Sequence, residues 1–339
     1  MINKKRIVSA IVALGLIGTV VFGFYNKVEA DAVKIRLGGS KRYDTAVEVS
    51  KNGWAGGSKT IVLVCGTDYP DALSAAPLAK KYNAPILLTE NNSLPSVVSK
   101  EIDRLKPTNA YIVGGDGVVS KNIESQLKGK GISVQRLGGS TRFETAVNVA
   151  KQVGTANGVV LASGRSFADA LSVAPVAAKL GMPILLTEID EFNSLNKSFI
   201  QSNNIPKTYV VGGEGVISNA NMKNYKNPTR IGGSDRYDTN IAVLNTFKNQ
   251  IDLNKIYIAS GDDFPDGLVG APIASLTSSP IILMNESAKY YPKVLERIKG
   301  IKSNQVVVLG ETGVVSDNIV KKVLDSVNYE EKFKVLSIE

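Results

Sequence analysis

Arginines and carboxylates recur in register along this 339-residue chain, and no histidine accompanies them. Arg36, Arg136 and Arg230 each open an eleven-residue phrase, R-L-G-G-S-K-R-Y-D-T-A in its first form. Within it, Arg42 with Asp44 returns as Arg142 with Glu144 and as Arg236 with Asp238. A second phrase, G-T-D-Y-P-D-A-L from residue 66, carries Asp71, then Asp169 and Asp266. Such a set suits an ion pair locking helix to strand, or the lining of a polar groove. A carboxylate in the first turn of a helix stabilises it by about 0.3–1 kcal/mol. Asp68 and Asp71 are also a pair that glycoside hydrolysis could use. Asp68 gives way to Ser166 in the second occurrence, however, and helix capping accounts for both. Asp262, Asp263 and Asp266 cluster in the third occurrence alone, where a metal such as Mg²⁺ is the alternative partner. The absence of histidine excludes the usual zinc hydrolase ligand sets and every catalytic arrangement built on an imidazole base.

The first phrase returns after 100 and then 94 residues. The second phrase, P-I-L-L-T from residue 85 and Y-I-V-G-G-D-G-V-V-S from residue 111 keep offsets of 97 or 98. One unit is therefore written three times, and internal repeats fix an architecture before anything else. In the first copy, residues 34–37 read as a short strand. Tyr43, Ala46, Val47 and Ser50 then fall on one face of a helix. Residues 60–65 form an unbroken apolar run, as in a strand buried on both faces. Asp68 is placed to cap the next helix, with Asp71 completing a capping box. Pro77, Pro175 and Pro272 should kink that helix or end it early. Strands at 85–89 and 110–113 and helices at 94–105 and 120–128 complete the copy.

Solid apolar strands alternating with helices predict an α/β protein of three layered modules with mainly parallel sheets. The expected division is a leader at 1–30, then modules at 31–127, 128–225 and 226–339. Strands of the opening type occur four times for three copies, the last at residues 333–338. Each sheet is thus expected to borrow its final strand from the start of the next copy, with residues 333–338 completing the third. Gly38-Gly39, Gly66 and Gly114-Gly115 close strands, where open α/β sheets bind ligands, although tight turns ask for the same residue. No G-x-G-x-x-G or P-loop sequence supports nucleotide binding.

Lys4, Lys5 and Arg6 precede an apolar run over residues 7–25, followed by Val28-Glu29-Ala30. That order reads as a secretory signal peptide cleaved after Ala30, with an uncleaved membrane anchor as the alternative. Cleavage removes Lys4, Lys5, Arg6, Lys27 and Glu29, leaving 36 basic and 30 acidic side chains, net +6. This excess permits an anionic partner. Its scatter along the chain argues against a nucleic-acid arm. Cys65 is the single cysteine, so no internal disulfide is possible in an exported chain. Ser163 and Ser260 stand at its equivalent positions, which reads as a small buried residue at a strand end.

The four ordered phrases, over residues 33–325, resemble the clostridial type 2 cell-wall-binding repeat. The resemblance implies three Toprim-like, Rossmann-like modules packed as a pseudo-threefold trimer within one chain. It implies a secreted, non-catalytic protein without cofactors, at the cell wall or surface layer. Its partner would be an anionic polysaccharide of the Gram-positive wall, with surface-layer proteins as further partners. Contact is expected in grooves between modules, involving Pro85, Ile86, Leu87 and Leu88 and also Pro183, Ile184, Leu185 and Leu186. Pro280–Leu283 departs from the phrase at Ile282, and the third copy departs again at Glu311-Thr312 and Asn240. Arg36, Arg136, Arg230, Arg42, Arg142 and Arg236 are the candidates for charge contacts, with weak binding at each groove multiplied by avidity. The repeats elsewhere accompany effector domains. With a dozen residues after Val327, the expectation here is the anchoring part alone. A peptidoglycan-lytic, amidase-like enzyme and a Toprim-like metal-binding protein are the alternatives.

Overall fold

The computed structural model describes residues 32–328. The first copy contributes β1 (Val33–Leu37), α1 (Arg42–Gly53), β2 (Thr60–Cys65), a 3-10 turn (Ala72–Ser74) leading into α2 (Ala75–Lys81), β3 (Ile86–Thr89), α3 (Ser96–Leu105), β4 (Asn109–Val113) and α4 (Lys121–Gly129). The second contributes β5 (Ser133–Leu137), α5 (Arg142–Val153), β6 (Val159–Ser163), α6 (Ala168–Leu180), β7 (Ile184–Thr187), α7 (Ser194–Ser202), β8 (Thr208–Val211) and α8 (Asn219–Met222). The third contributes β9 (Pro228–Ile231), α9 (Arg236–Thr246), β10 (Lys255–Ser260), α10 (Pro265–Leu276), β11 (Ile281–Met284), α11 (Tyr291–Ile298), β12 (Gln305–Leu309) and α12 (Asp317–Val327).

These strands form three four-stranded sheets, all parallel, in the orders β3-β2-β4-β5, β7-β6-β8-β9 and β11-β10-β12-β1. The expected borrowing of strands is present. β5 runs beside β4 in register from Asn109↔Ser133 to Val113↔Leu137, and β9 runs beside β8 in the same way. The third sheet is completed differently. β1 lies beside β12, from Val33↔Gln305 to Leu37↔Leu309, so the start of the chain holds the place expected for residues 333–338. Those residues lie outside the described part. Borrowing thus runs in a closed ring of three, with no module left as an open end.

Local sequence explains the elements. Tyr43, Ala46, Val47 and Ser50 are all buried on the inner face of α1, as a 3.6-residue period requires. Every residue of β2 is buried, in keeping with a parallel strand covered by helices on both faces. Cys65 ends that strand as a buried free thiol beside Thr67. The prolines do not shorten their helices: α6 and α10 carry Pro175 and Pro272 and run on to Leu180 and Leu276. Pro77 instead lies in the first turn of α2, where its missing N–H leaves no bond unmade. No helix among the described residues is long and apolar enough to cross a membrane, and residues 7–25 lie outside them.

At the centre of the molecule α2, α6 and α10 pack on one another. Leu73, Leu171 and Leu268 are buried there. A Cβ on Gly267 would sit 2.8 Å from Leu171 Cδ2, which marks how closely α10 approaches α6. Above the helices Tyr69, Phe167 and Phe264, which occupy equivalent positions in the three copies, meet as a triangle. Their ring centroids are 5.7, 5.7 and 6.4 Å apart. Tyr69 and Phe167 meet edge-on and the other two pairs are tilted; aromatic pairs add about 0.5–1.5 kcal/mol each beyond area burial. Because these rings follow β2, β6 and β10 directly, the carboxyl ends of the central strands of all three sheets lie at the same end of the molecule.

Candidate functional site

The inter-module seams begin in the G-G-S loops. After β1 the chain crosses from the third sheet to α1 on the first module; after β5 and β9 it makes the corresponding steps. Each crossing loop is fixed by the phrase it belongs to. Thr45 Oγ1 accepts the Gly39 N–H at 3.2 Å, Thr145 that of Gly139 at 3.1 Å, and Thr239 that of Gly233 at 3.2 Å. The acid of the phrase caps its own helix: Asp44 accepts from the Lys41 N–H and Ser40 Oγ, each at 3.0 Å, and Glu144 accepts likewise from Ser140. The expected ion pair between Arg42 and Asp44 is therefore replaced by a cap.

The same threonines reach across the seam. Thr145 hydrogen-bonds Asp71, Thr239 hydrogen-bonds Asp169, and Thr45 hydrogen-bonds Asp266. These aspartates do not complete capping boxes, contrary to the sequence reading: Asp71 itself stands at the N-cap and makes no side-chain cap bond, and the N-caps of α6 and α10 are Phe167 and Phe264. Asp71 and Asp169 are buried, at 8% and 6% exposure. Burial pushes Asp169 and Asp266 up to about 6, against the opposing pull of the threonine hydroxyls and of Arg236 and Arg42. Asp71 is raised for the same reason. Gly212, at φ 123°, makes room for this arrangement, since a Cβ there would lie 2.8 Å from Asp169 Oδ2.

Arg36, Arg136 and Arg230 close the carboxyl end of the neighbouring strand. Their guanidinium groups donate to the carbonyls of Gly310, Gly114 and Gly212 at 2.8, 3.0 and 2.8 Å. Arg36 also pairs with Asp317 at 3.0 Å, and Arg136 with Glu124 and Asp116, each at 3.1 Å. At 15% and 17% side-chain exposure these two have little left to offer a ligand. Arg42, Arg142 and Arg236, the first residues of α1, α5 and α9, donate to the carbonyls of Gly66, Gly164 and Gly261. Arg42 crosses the seam to Asp263 at 3.4 Å and lies over the Phe264 ring; Arg236 lies over Phe167. Pro85 to Leu88 and Pro183 to Leu186 are buried throughout. Burial leaves their side chains no surface on which to meet a polymer, so the P-I-L-L phrase serves the core.

Two clefts open along the seams at the carboxyl ends of the strands. One, of about 390 Å³, lies between the third and first modules, with Lys41 and Arg42 facing Asp263, Asp266 and Glu311. The other, of about 450 Å³, lies between the second and third, where Arg236 faces Asp169, Glu214 and Asp235 beside Tyr290. Carboxylates outnumber cations in both. A third groove, of about 440 Å³, opens between the first and second modules at the opposite end and is lined by Pro77, Lys80, Lys81, Val153, Lys179 and Leu180, among others. Asp262, Asp263 and Asp266 do not converge: they bond Tyr237, Arg42 and Thr45 respectively. Among the described residues no group of three or more carboxylates or cysteines is placed to hold a metal ion. The aspartate–threonine seams escaped the sequence reading. Their signal was the threonine at the tenth position of every opening phrase, matched by a repeated aspartate downstream.

Comparison with known proteins agrees with this geometry. The profile of the cell wall binding domain 2 (CWB2) family matches residues 36–124, 136–222 and 230–320. The N-acetylmuramoyl-L-alanine amidase LytC of Bacillus subtilis (strain 168) is 38% identical over 299 residues, 88% of this chain and 59% of that protein. The amidase enhancer of the same organism is 35% identical over 272 residues, covering 78% of this chain and 37% of its own. This chain therefore spans less than two thirds of either relative. Among solved structures, Cwp6 from Clostridium difficile superposes with a TM-score of 0.81 at 29% identity, over 88% of this chain and 48% of that one. Cwp8 from the same organism gives 0.77 at 32% identity, over 87% and 52%. With three matched repeats on three interlocked modules, the chain belongs to the cell wall binding domain 2 family.

Proposed function

We propose that this protein is a non-catalytic anchor, held non-covalently to an anionic secondary polymer of the Gram-positive wall where its modules meet. The observation that carries the reading is the closed ring of modules. It fixes three modules in one rigid arrangement, so weak contacts made along one face with successive units of one polymer add as avidity. The charge balance of +6 after removal of residues 1–30 supports an anionic partner. Export through that segment and neighbours in a surface layer belong to the same reading. Co-sedimentation with purified walls, before and after their acidic glycan is stripped, tests it. Binding is expected to vanish with the glycan and to weaken with salt; binding indifferent to both would refute it.

The relative named as an amidase raises the second reading, a lytic enzyme, and Asp169 and Asp266, each raised to about 6, are the groups such an enzyme would use as acids. Both, however, already spend their carboxylates on seam threonines. Zymography on peptidoglycan is expected to give no clearing band.

A further inference from the structure

The parallel sheets share one polarity, so the molecule has two distinct ends, and its charges are sorted between them. Loops that leave the strands' carboxyl ends carry 13 carboxylates against Lys41, Arg165 and Lys289, with the six arginines that flank these loops, Arg36, Arg42, Arg136, Arg142, Arg230 and Arg236, already turned onto backbone carbonyls. Loops that enter the strands' amino ends carry nine lysines against a single carboxylate, Asp252. Part of this sorting answers the helix dipoles, which place about half a charge at each helix end. Those partial charges sit on backbone groups, whereas each lysine carries a full charge. An anionic chain nearing the molecule is therefore repelled at the clefted end and drawn to the opposite one.

The amino end also has its own groove. It lies between the first and second modules, with Lys80, Lys81 and Lys179 on its rim and Pro77, Val153 and Leu180 among its apolar walls, and no carboxylate lines it. Lys81 Nζ holds the seam, donating to the carbonyls of Gln152 at 2.6 Å and Val153 at 3.2 Å. Lys80 and Lys179 make no ion pair among the described residues and remain available. Threefold repetition breaks here. The positions of Lys80 and Lys81 are Ala178 and Lys179 in the second copy and Ser275 and Leu276 in the third.

We propose that the polyanionic wall glycan docks on the amino end, centred on this groove. Lys80 and Lys179 meet its acidic groups and the apolar walls take the faces of its sugar rings. The clefts at the carboxyl end, rich in carboxylates, are not its seat. The assignment rests on the anchoring reading and says where that anchoring occurs.

The test uses the full chain on purified walls and on walls stripped of acidic glycan. The pair Lys80→Gln/Lys179→Gln is compared with an equal loss of charge at the other end, Lys41→Gln/Lys289→Gln. The first pair is expected to lower affinity by about tenfold and flatten the salt dependence, and the second to change affinity less than about twofold. Equal losses, or a larger loss in the second pair, would overturn the assignment while leaving wall anchoring intact. Wild-type protein that binds stripped and native walls alike would overturn the anchoring reading itself. Binding to vesicles of anionic lipid as tight as to the glycan would overturn the choice of occupant. Unchanged melting temperatures of both pairs separate lost binding from lost fold.

Discussion

The Asp266 carboxylate in the third copy takes its hydrogen bond from Thr45 in the first, joining opposite ends of the chain. Thr45 also accepts the Gly39 N–H, so one hydroxyl ties the crossing loop to its own helix and to the preceding module. Thr45→Val keeps the shape and removes both bonds. The expected cost is about 1–3 kcal/mol, the desolvation of a carboxylate and an amide left unpaired. Thr145→Val and Thr239→Val should cost similar amounts, since their seams repeat the geometry. Urea unfolding of the three variants checks this. A spread in which one seam costs nothing would show that the seams are not equivalent.

The same aspartates set a pH dependence of unusual sign. Asp169 and Asp266 titrate at about 6 in the folded chain, above the ordinary 3.8, because burial disfavours their charged forms. An acid raised in this way favours the native state when protonated. Its contribution is fully present below pH 3.8 and is lost as the pH rises through 6. Each can contribute up to about 2–3 kcal/mol, since a tenfold change in proton affinity is worth about 1.4 kcal/mol. Thr45, Arg42, Asp263 and Glu311 surround Asp266 and are included in that balance. Glu124, held low by Lys128 and Arg136, works the other way, but only nearer its own lower range. Melting temperature should therefore rise on acidification from about pH 7.5 to about pH 5. In Asp266→Asn, which mimics the protonated acid, part of that slope should disappear. A wild-type melting temperature that falls steadily over this interval would sink the account.

What the sequence revealed and what it hid divide along one physical line. Interactions within a copy were legible. The inner face of α1 followed from the spacing of Tyr43, Ala46, Val47 and Ser50, and the core run of β2 from its unbroken apolar residues. Interactions between copies were not. Asp71 looked like a helix cap because a cap is the nearest partner along the chain; its threonine lies in another copy. The carbonyl partners of Arg36, Arg136 and Arg230 were hidden because they come from strands that only the ring places beside them. The sorting of charge between the two ends was equally hidden. Scattered lysines in a linear sequence become one face only after the topology assigns each loop to an end.

Within α3 the buried Glu101, paired with the partly exposed Arg104, holds the first module's outer layer. Glu101 is 2% exposed and receives Arg104 through both carboxylate oxygens at 2.7 Å, and Ser50 Oγ also donates to it at 2.5 Å. Arg104 continues to the carbonyls of Trp54 and Ala55, at 3.1 and 3.0 Å, tying the end of α1 to α3. Arg104→Ala leaves a carboxylate buried without its cation and should cost about 3–5 kcal/mol. Glu101→Gln with Arg104→Met removes both charges and should recover most of that loss. Chemical denaturation distinguishes the outcomes: a double variant no more stable than Arg104→Ala would mean that the guanidinium acts mainly through the Trp54 and Ala55 carbonyls, which both variants lose.

Closure of the ring by β1 leads to a test of the architecture itself. β1 precedes everything else in the described chain yet belongs to the third sheet, beside β12. The α12 helix ends at Val327, and the structure demands only that a parallel strand occupy the place beside β12. A permuted chain starting at Gly38, with residues 33–37 rejoined by a flexible linker after residue 328, should therefore fold. Its melting temperature should lie within a few degrees of wild type, because loop-closure entropy grows only slowly with length. Removing residues 33–37 altogether should expose the β12 edge, leave the Gly310 carbonyl and Asp317 without Arg36, and loosen the seam that Thr45 closes. Hydrogen exchange would then rise first in β12 and α12, with the first two sheets protected longer. If exchange rose evenly through all three sheets, β1 would be a keystone for the whole ring; if it rose nowhere, the edge would have no need of its fourth strand.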